Sequence, residues 1–248
     1  MHLNRLEFDR KFPGPVLGLD EVGTGAIAGP ITVCGLVLPG DPEVEELLYK
    51  AGARDSKQLS PSRREAIAEL VHDHYVWHYI VQVEAVDYKK GWMARHLDDL
   101  FRQVLNEALA RGPAVKTIII DGDQDRDLRG YHFRAIPKAD DKSLTVACAS
   151  IMAKVHRDRQ MAALEGDHPG YGFAQHNGYC TKQHKEALLR LGTVDGVHRD
   201  NKVTRRVSAS RSALPEAERD GAWTSRLRRR ESSVADARRF RPGSGRFR

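Results

Sequence analysis

Residues 16–38, VLGLDEVGTGAIAGPITVCGLVL, carry the reading that decides the fold. Val16 to Asp20 and Ile31 to Leu38 are short, apolar and β-branched, and the segment between them is rich in glycine, so the stretch predicts two strands joined as a hairpin. Asp20 and Glu21 stand where the first strand gives way to the turn. Gly23-Thr24-Gly25-Ala26-Ile27-Ala28 also fits GxGxxA, the dinucleotide-binding fingerprint, but that fingerprint requires a helix to begin at the glycines. Here Gly29-Pro30 leads into Ile31-Thr32-Val33, which are strand residues, and a nicotinamide or flavin site is set aside on that ground. Glycine amides without a side-chain barrier can instead approach a sugar–phosphate chain closely.

Outward from this hairpin, Pro61 to His72 has helical spacing, with Ser60 as N-cap and Pro61 at the first position. Trp77 to Val83 alternates like a strand, and Met93 to Ala110 forms an amphipathic helix stopped by Gly112 and Pro113. The apolar run Thr117 to Ile120 ends in Asp121-Gly122, as expected of a strand covered on both faces. Tyr131 to Ile136 predicts another short strand. Leu144 to Leu164 predicts a long helix with Leu144, Cys148, Ile151, Met152 and Val155 along one face. Antiparallel strands come first and strands alternating with helices follow, which gives an α/β fold on a mixed sheet.

A chain of 248 residues can bury one substantial core and carry a short appendage. No apolar run approaches the ~20 residues of a membrane span, so a secreted or membrane protein is not expected and a cytoplasmic location is. Cys34, Cys148 and Cys180 are widely spaced and form no CxxC, the pattern of reduced thiols rather than of a disulfide framework or a zinc knuckle. The formal charge of +6 divides unevenly: residues 205–248 hold thirteen arginines and five acids, +8, which leaves −2 for residues 1–204. Residues 205–248 are therefore expected to be an Arg-rich, mostly mobile tail with helix from Glu216 to Arg230, acting on nucleic-acid phosphates or as a solubilising extension.

Asp20 and Glu21 close one strand, Asp121 closes another, and Asp140 precedes the long helix. Strand ends of open α/β sheets are where sites form, and clustered carboxylates repel unless cations neutralise them. Oxygen-only ligands select hard ions, Mg²⁺ or Mn²⁺, and two such ions about 4 Å apart can drive cleavage of a phosphodiester. Taken singly, Asp121-Gly122 also fits an ordinary turn, and Asp140 or Asp141 a helix cap.

Five ordered blocks, GLDEVGTGAIAGP (18–30), DSKQLS (55–60), IIIDG (118–122), KADDKSLTVACASIMAKVHRDR (138–159) and YGFAQHNGYCTKQH (171–184), resemble the signature blocks of ribonuclease HII. The resemblance spans about Val16 to Leu191. It implies a ribonuclease H-like five-stranded mixed sheet flanked by helices with a C-terminal helical extension, a catalytic domain over residues 1–204, and a monomer. It implies that Asp20, Glu21, Asp121 and Asp140 are the metal-binding catalytic carboxylates, holding two Mg²⁺ or Mn²⁺ ions during catalysis, with Asp20 between them and Asp141 outside the set. Gly23, Thr24 and Gly25 would meet a 2′-hydroxyl through their amides, Tyr179 would stack on the following deoxyribose, and Lys57 would contact phosphate. Lys154 and Arg157 would face the same groove.

The implied activity is endonucleolytic hydrolysis of the RNA strand of RNA/DNA hybrids, and of ribonucleotides embedded in duplex DNA, leaving 3′-hydroxyl and 5′-phosphate ends. A noncatalytic hybrid-binding protein and a related metal-dependent DNA nuclease are the alternatives, and ribonucleotide excision, primer removal and hybrid clearance all remain open as the physiological task. Two departures stand out. Thr24 replaces the arginine usual between the two glycines, as in ribonuclease HIII, whose N-terminal substrate-binding domain is not expected here because about fifteen residues precede the first strand. After His198-Arg199, Asp200-Asn201-Lys202 replaces the family's usual continuation, leaving open how the C-terminal part closes. His72, His74 and His78 are expected to be exposed or structural, and His176 and His184 to organise the substrate loop.

Overall fold

The computed structural model describes residues 5–122 and 126–213. The expected tail helix from Glu216 to Arg230 lies outside them. The chain runs α1 (Arg5–Asp9), β1 (Val16–Val22), β2 (Ile31–Val37), α2 (Pro42–Ala51), α3 (Pro61–His74), β3 (Trp77–Val83), α4 (Met93–Arg111), β4 (Thr117–Asp121), β5 (Arg134–Ile136), α5 (Ala139–Lys142), α6 (Leu144–Asp167), α7 (Phe173–His176), α8 (Lys182–Leu191) and α9 (Lys202–Ser212). The five strands form one mixed sheet in the order β3-β2-β1-β4-β5. β1, β2 and β3 are an antiparallel meander, while β4 joins β1 and β5 joins β4 in parallel. The expected mixed sheet and C-terminal helical extension are both present.

Alternation along the strands divides the core. On one face Leu17, Leu19, Ile31, Val33 and Val37 pack against Leu97, Leu100, Phe101, Val104 and Leu105 of α4. On the other, Cys34 and Leu36 pack against Ile67 and Val71 of α3 and Leu144, Cys148, Ile151 and Val155 of α6. Gly18 permits a close backbone approach: a Cβ there would lie 2.8 Å from the backbone of Thr145 and Val146, so glycine lets the start of α6 lie directly on β1. Ile27, Ala28, Met161, Tyr171, Phe173, Ala187, Leu188 and Val197 form a further cluster, which fastens α7 and α8 to the far end of α6 and to the glycine loop. The three cysteines are free thiols.

Several boundaries differ from the sequence reading. β1 runs on to Val22, and Asp20 and Glu21 lie inside the ladder opposite Cys34 and Val33 rather than at a turn. Residues 23–30 form a loop folded onto the C-terminal helices in place of a tight hairpin. The expected strand Tyr131 to Ile136 is reduced to Arg134–Ile136, because Tyr131 and Phe133 are drawn into the α4 core and pairing starts only at Ile119↔Arg134. α9 spans the expected boundary after residue 204, so Arg205, Arg206 and Arg211 stand on an ordered helix capped by Asn201. His72 and His78 pack with Tyr75 as an aromatic group, ring centroids 5.6 and 4.3 Å from the tyrosine. No helix among the described residues is long and apolar enough to cross a membrane.

Candidate active site

The parallel pairing of β1 with β4 reaches Leu19↔Ile120, so the next residues, Asp20 and Asp121, emerge side by side at one end of the sheet. β5 ends beside Asp121, and the chain then passes through Lys138, held at φ 55°, into α5, which carries Asp140 back to the same place. Asp121 Oδ1 accepts the Ala139 N–H at 2.6 Å and so fixes α5 against β4. One carboxylate oxygen from each of Asp20, Asp121 and Asp140 lies within 4.8 Å of the other two. Asp20 and Asp140 are buried.

Burial, followed by Glu21 and Asp121, pushes the Asp20 carboxyl well above the usual carboxylate range, and a hydrogen bond with Ser150 only partly offsets this. Burial first, then Asp121, Asp55 and Asp141, pushes Asp140 up to about 7. Lys57 is the nearby cation: burial disfavours its charge, but Asp20, Asp55, Asp140 and Asp121 together raise its pKa. It stands on the short turn Ser56–Gln58, capped by Asp55. Oxygens converging in this way, with their charge opposed by burial, fit a hard divalent cation.

Glu21 stands apart. Successive strand residues alternate faces, so Glu21 turns to the α4 side, where its Oε2 lies 3.2 Å from an Arg126 Nη. Burial raises its pKa, and Arg126 is the strongest opposing influence. Asp141 is likewise outside the cluster, its Oδ1 accepting from Arg5 at 3.5 Å and from Gln58 at 3.1 Å.

The glycine loop and Tyr179 meet directly. Ala26 bridges to Tyr179, and the Ile27 and Ala28 amides donate to the Gly178 carbonyl at 2.9 and 3.3 Å. Among the described residues the Thr24 and Gly25 amides donate to no backbone carbonyl, and Gly25 is exposed. Two arginines lie behind this surface, 0% and 1% exposed. Arg199 donates to the carbonyls of Gly23, Ala26, Gly29 and Pro30 at 2.7 to 3.2 Å. Arg157 donates to those of Ala28, Pro30 and Asn177 at 2.9 to 3.0 Å. Burial lowers both guanidinium pKa values, Arg199 to about 10 with the like charge of Arg157 adding to the effect. This corrects the placement of Lys154 and Arg157 on the groove, since Lys154 is itself buried and pairs with Asp158. Sequence reasoning misses Arg199 as the holder of the loop; its only signal is a long basic side chain beside an odd continuation.

A histidine chain completes the support. His198 Nδ1 accepts the Val194 N–H at 2.9 Å, which leaves its proton on Nε2, 3.2 Å from His184 Nε2. His184 therefore carries its proton on Nδ1 and donates to the Tyr179 carbonyl at 2.9 Å. Burial, the largest influence on each, lowers both to about 4, so the chain is neutral near pH 7. His176 donates to the Tyr171 carbonyl and accepts from the Gly178 amide. The expected role of His176 and His184 as loop organisers has this physical form.

Relatives share this architecture. Ribonuclease HII of Mycobacterium tuberculosis is 38% identical over 182 residues, 72% of this chain and 65% of that protein, so the chain spans just under two thirds of its length. The crystal structure of ribonuclease H2 from Pyrococcus horikoshii superposes with a TM-score of 0.66 at 26% identity, covering 80% of this chain and 99% of that one. That of Bst-RNase HIII in complex with Mn²⁺ gives a TM-score of 0.64 at 22% identity, covering 80% and 70%, and shares the fold. The ribonuclease HII family model matches residues 17–207, from β1 well into α9, and the chain belongs to that family.

Proposed function

We propose that this protein is a metal-dependent endoribonuclease that cuts the RNA strand of RNA/DNA hybrids and, at embedded ribonucleotides, the ribose-containing strand of duplex DNA. The observation that carries the reading is the convergence of Asp20, Asp121 and Asp140 oxygens within 4.8 Å, in a ribonuclease HII-family chain, at the sheet end where the glycine loop meets Tyr179. The donor set suits Mg²⁺ or Mn²⁺, and the Mn²⁺ complex of Bst-RNase HIII supports the same choice. Asp20, Asp121 and Asp140 would hold the metal, with Asp20 shared if two ions bind and Glu21 joining by release from Arg126. Bound there, divalent metal supplies Lewis-acid charge at the phosphodiester that is hydrolysed.

The chain's own groups do the rest. The Thr24 and Gly25 amides offer donors to a 2′-hydroxyl, the hydroxyl that distinguishes RNA from DNA. The Tyr179 ring packs on the sugar that lacks it, and Lys57 takes a phosphate oxygen. Hydrolysis on the 5′ side of the ribonucleotide leaves a 3′-hydroxyl and a 5′-phosphate. Three labelled duplexes with Mg²⁺ or Mn²⁺ test this: one with a single ribonucleotide, one with an RNA stretch and one all DNA. Cutting of either ribose-containing duplex but not the DNA is expected; equal cutting of all three, or of none, overturns the proposal.

A further inference from the structure

We infer that the loop between β3 and α4, residues 84–92, together with Arg95, forms a second nucleic-acid contact that grips the sugar–phosphate backbone of the substrate duplex away from the cut. The inference rests on the proposed function for the identity of the ligand. β3 runs parallel to β1, so its last residue, Val83, opposite Ile31, lies at the same sheet end as Asp20 and Asp121. β2 alone separates β1 from β3, which places Val83 about 10 Å to one side of β1 at the usual strand spacing.

The loop that leaves Val83 is keyed to the glycine loop. The Arg199 guanidinium, while holding the carbonyls of Gly23, Ala26, Gly29 and Pro30, lies 5.6 Å from the centre of the Tyr88 ring. Four residues on, Trp92 is 42% exposed. Lys89 Nζ sits 5.1 Å and the Arg95 guanidinium 4.3 Å from its ring centre. Among the described residues neither cation, nor Lys90, forms an ion pair with a carboxylate. The cation–π contacts hold Lys89 and Arg95 beside the ring without neutralising their charge, so a polyanion gains from both: charge for its phosphates and an exposed aromatic edge for its sugars. An offset of about 10 Å corresponds to about three base pairs at 3.4 Å per step, so a duplex lying across the strand ends meets the loop on one side of the cut only.

The test is binding of metal-free protein, in EDTA, to hybrids extended in turn by two and by ten base pairs on each side of the ribonucleotide. The protein is compared with the triple variant Lys89→Ala/Lys90→Ala/Arg95→Ala and with Trp92→Ala. The expected result is a Kd ratio of variant to wild type that grows to the order of tenfold on extending one side alone, and a salt slope of log K shallower by about one for each phosphate that the triple variant leaves unneutralised. Equal Kd values, or a ratio that ignores flank length, would overturn the inference, the second because a general disturbance of the fold has no reach. Cleavage of the three duplexes above is read separately, so failure of the ribonuclease reading and failure of this surface are distinguishable.

Discussion

Three carboxylates converge at the ends of β1 and β4 with Lys57 as their nearby cation, whereas a few residues away two buried guanidiniums donate their hydrogen bonds to neutral carbonyls. The first arrangement is electrostatically unfinished: burial and mutual repulsion press Asp20 and Asp140 toward protonation, and a divalent cation would relieve both. The second is complete as folded. Seven hydrogen bonds from Arg157 and Arg199, with the neutral histidine chain behind Tyr179, set the loop's shape before any ligand arrives. On the proposed function, the carboxylate end therefore stores repulsion that metal binding would release, and the glycine-loop end stores shape. Pre-organisation of that kind lowers the ordering cost of binding.

The widest separation between the two ends should appear with Asp140→Asn. Loss of a ligand oxygen is expected to lower kcat by about 10³-fold, the equivalent of about 4 kcal/mol of charge stabilisation. In EDTA the same variant should unfold no earlier than wild type, because the repulsion has been removed. A metal-free variant clearly less stable than wild type would refute stored repulsion at this end. Arg199→Lys should behave differently. An ammonium cannot reproduce the planar fork; the Gly23 and Pro30 carbonyls keep donors in the Ala26 amide and Arg157, but among the described residues those of Ala26 and Gly29 depend on Arg199, and the expected destabilisation is about 2 kcal/mol in urea unfolding, with or without metal. A change under about 0.5 kcal/mol would show that the loop holds its shape without Arg199.

Much of this is legible in the sequence, and the exceptions have physical causes. Strand-forming residues that end in acids reveal β1 and β4, since local pattern and chain direction both act over a few residues. The pairing of β4 with β1, which joins Asp121 to Asp20, is a long-range event that no local pattern encodes; the resemblance to ribonuclease HII supplies it. Arg157 is misplaced by amphipathic reasoning because such reasoning assigns a helix's charges to solvent, and α6 is buried nearly all round from Leu144 to Val155, with Lys154 and, just beyond, Arg157 inside. Arg199 escapes notice for a related reason, as carbonyl acceptors leave no trace in the side-chain sequence. α2 goes unread although its signals are complete: Asp41 as N-cap, Pro42 in the first turn and left-handed Gly52 at the end.

Smaller effects should appear in the pH dependence of stability, where the two ends oppose each other. Unfolded, Asp140 titrates near 4; folded without metal, at about 7. Its contribution is thus full below about pH 4 and lost as pH rises through about 7. His184 and His198 fall from about 6.5 unfolded to about 4, so theirs is present above about pH 6.5 and lost as pH falls through about 4. Between pH 5 and 8 in EDTA, Asp140→Asn should make stability rise more steeply with pH than wild type, and His198→Gln less steeply. Saturating Mn²⁺ should turn the wild-type slope upward, because binding requires the deprotonated acids. Wild-type slopes in both variants would contradict the opposition.

The smallest effect expected is on selectivity, at the border between the two ends. Thr24 is half-buried in the loop, at the position where the resemblance to ribonuclease HII leads one to expect an arginine. The amides of Thr24 and Gly25 are present with either side chain, so the sensing of ribose should survive Thr24→Arg. What an added guanidinium brings is a charge-assisted hydrogen bond to phosphate beside the cut. A hybrid with a long RNA stretch offers several adjacent sites for the loop amides, whereas a single ribonucleotide offers one and so depends more on each added interaction. Thr24→Arg should therefore raise kcat/KM for the single-ribonucleotide duplex several-fold over that for the RNA stretch, an increment of about 1 kcal/mol. An unchanged ratio would mean that the loop's selectivity resides in its backbone, as fixed by Arg199 and Arg157, and that the side chain at position 24 has no part in it.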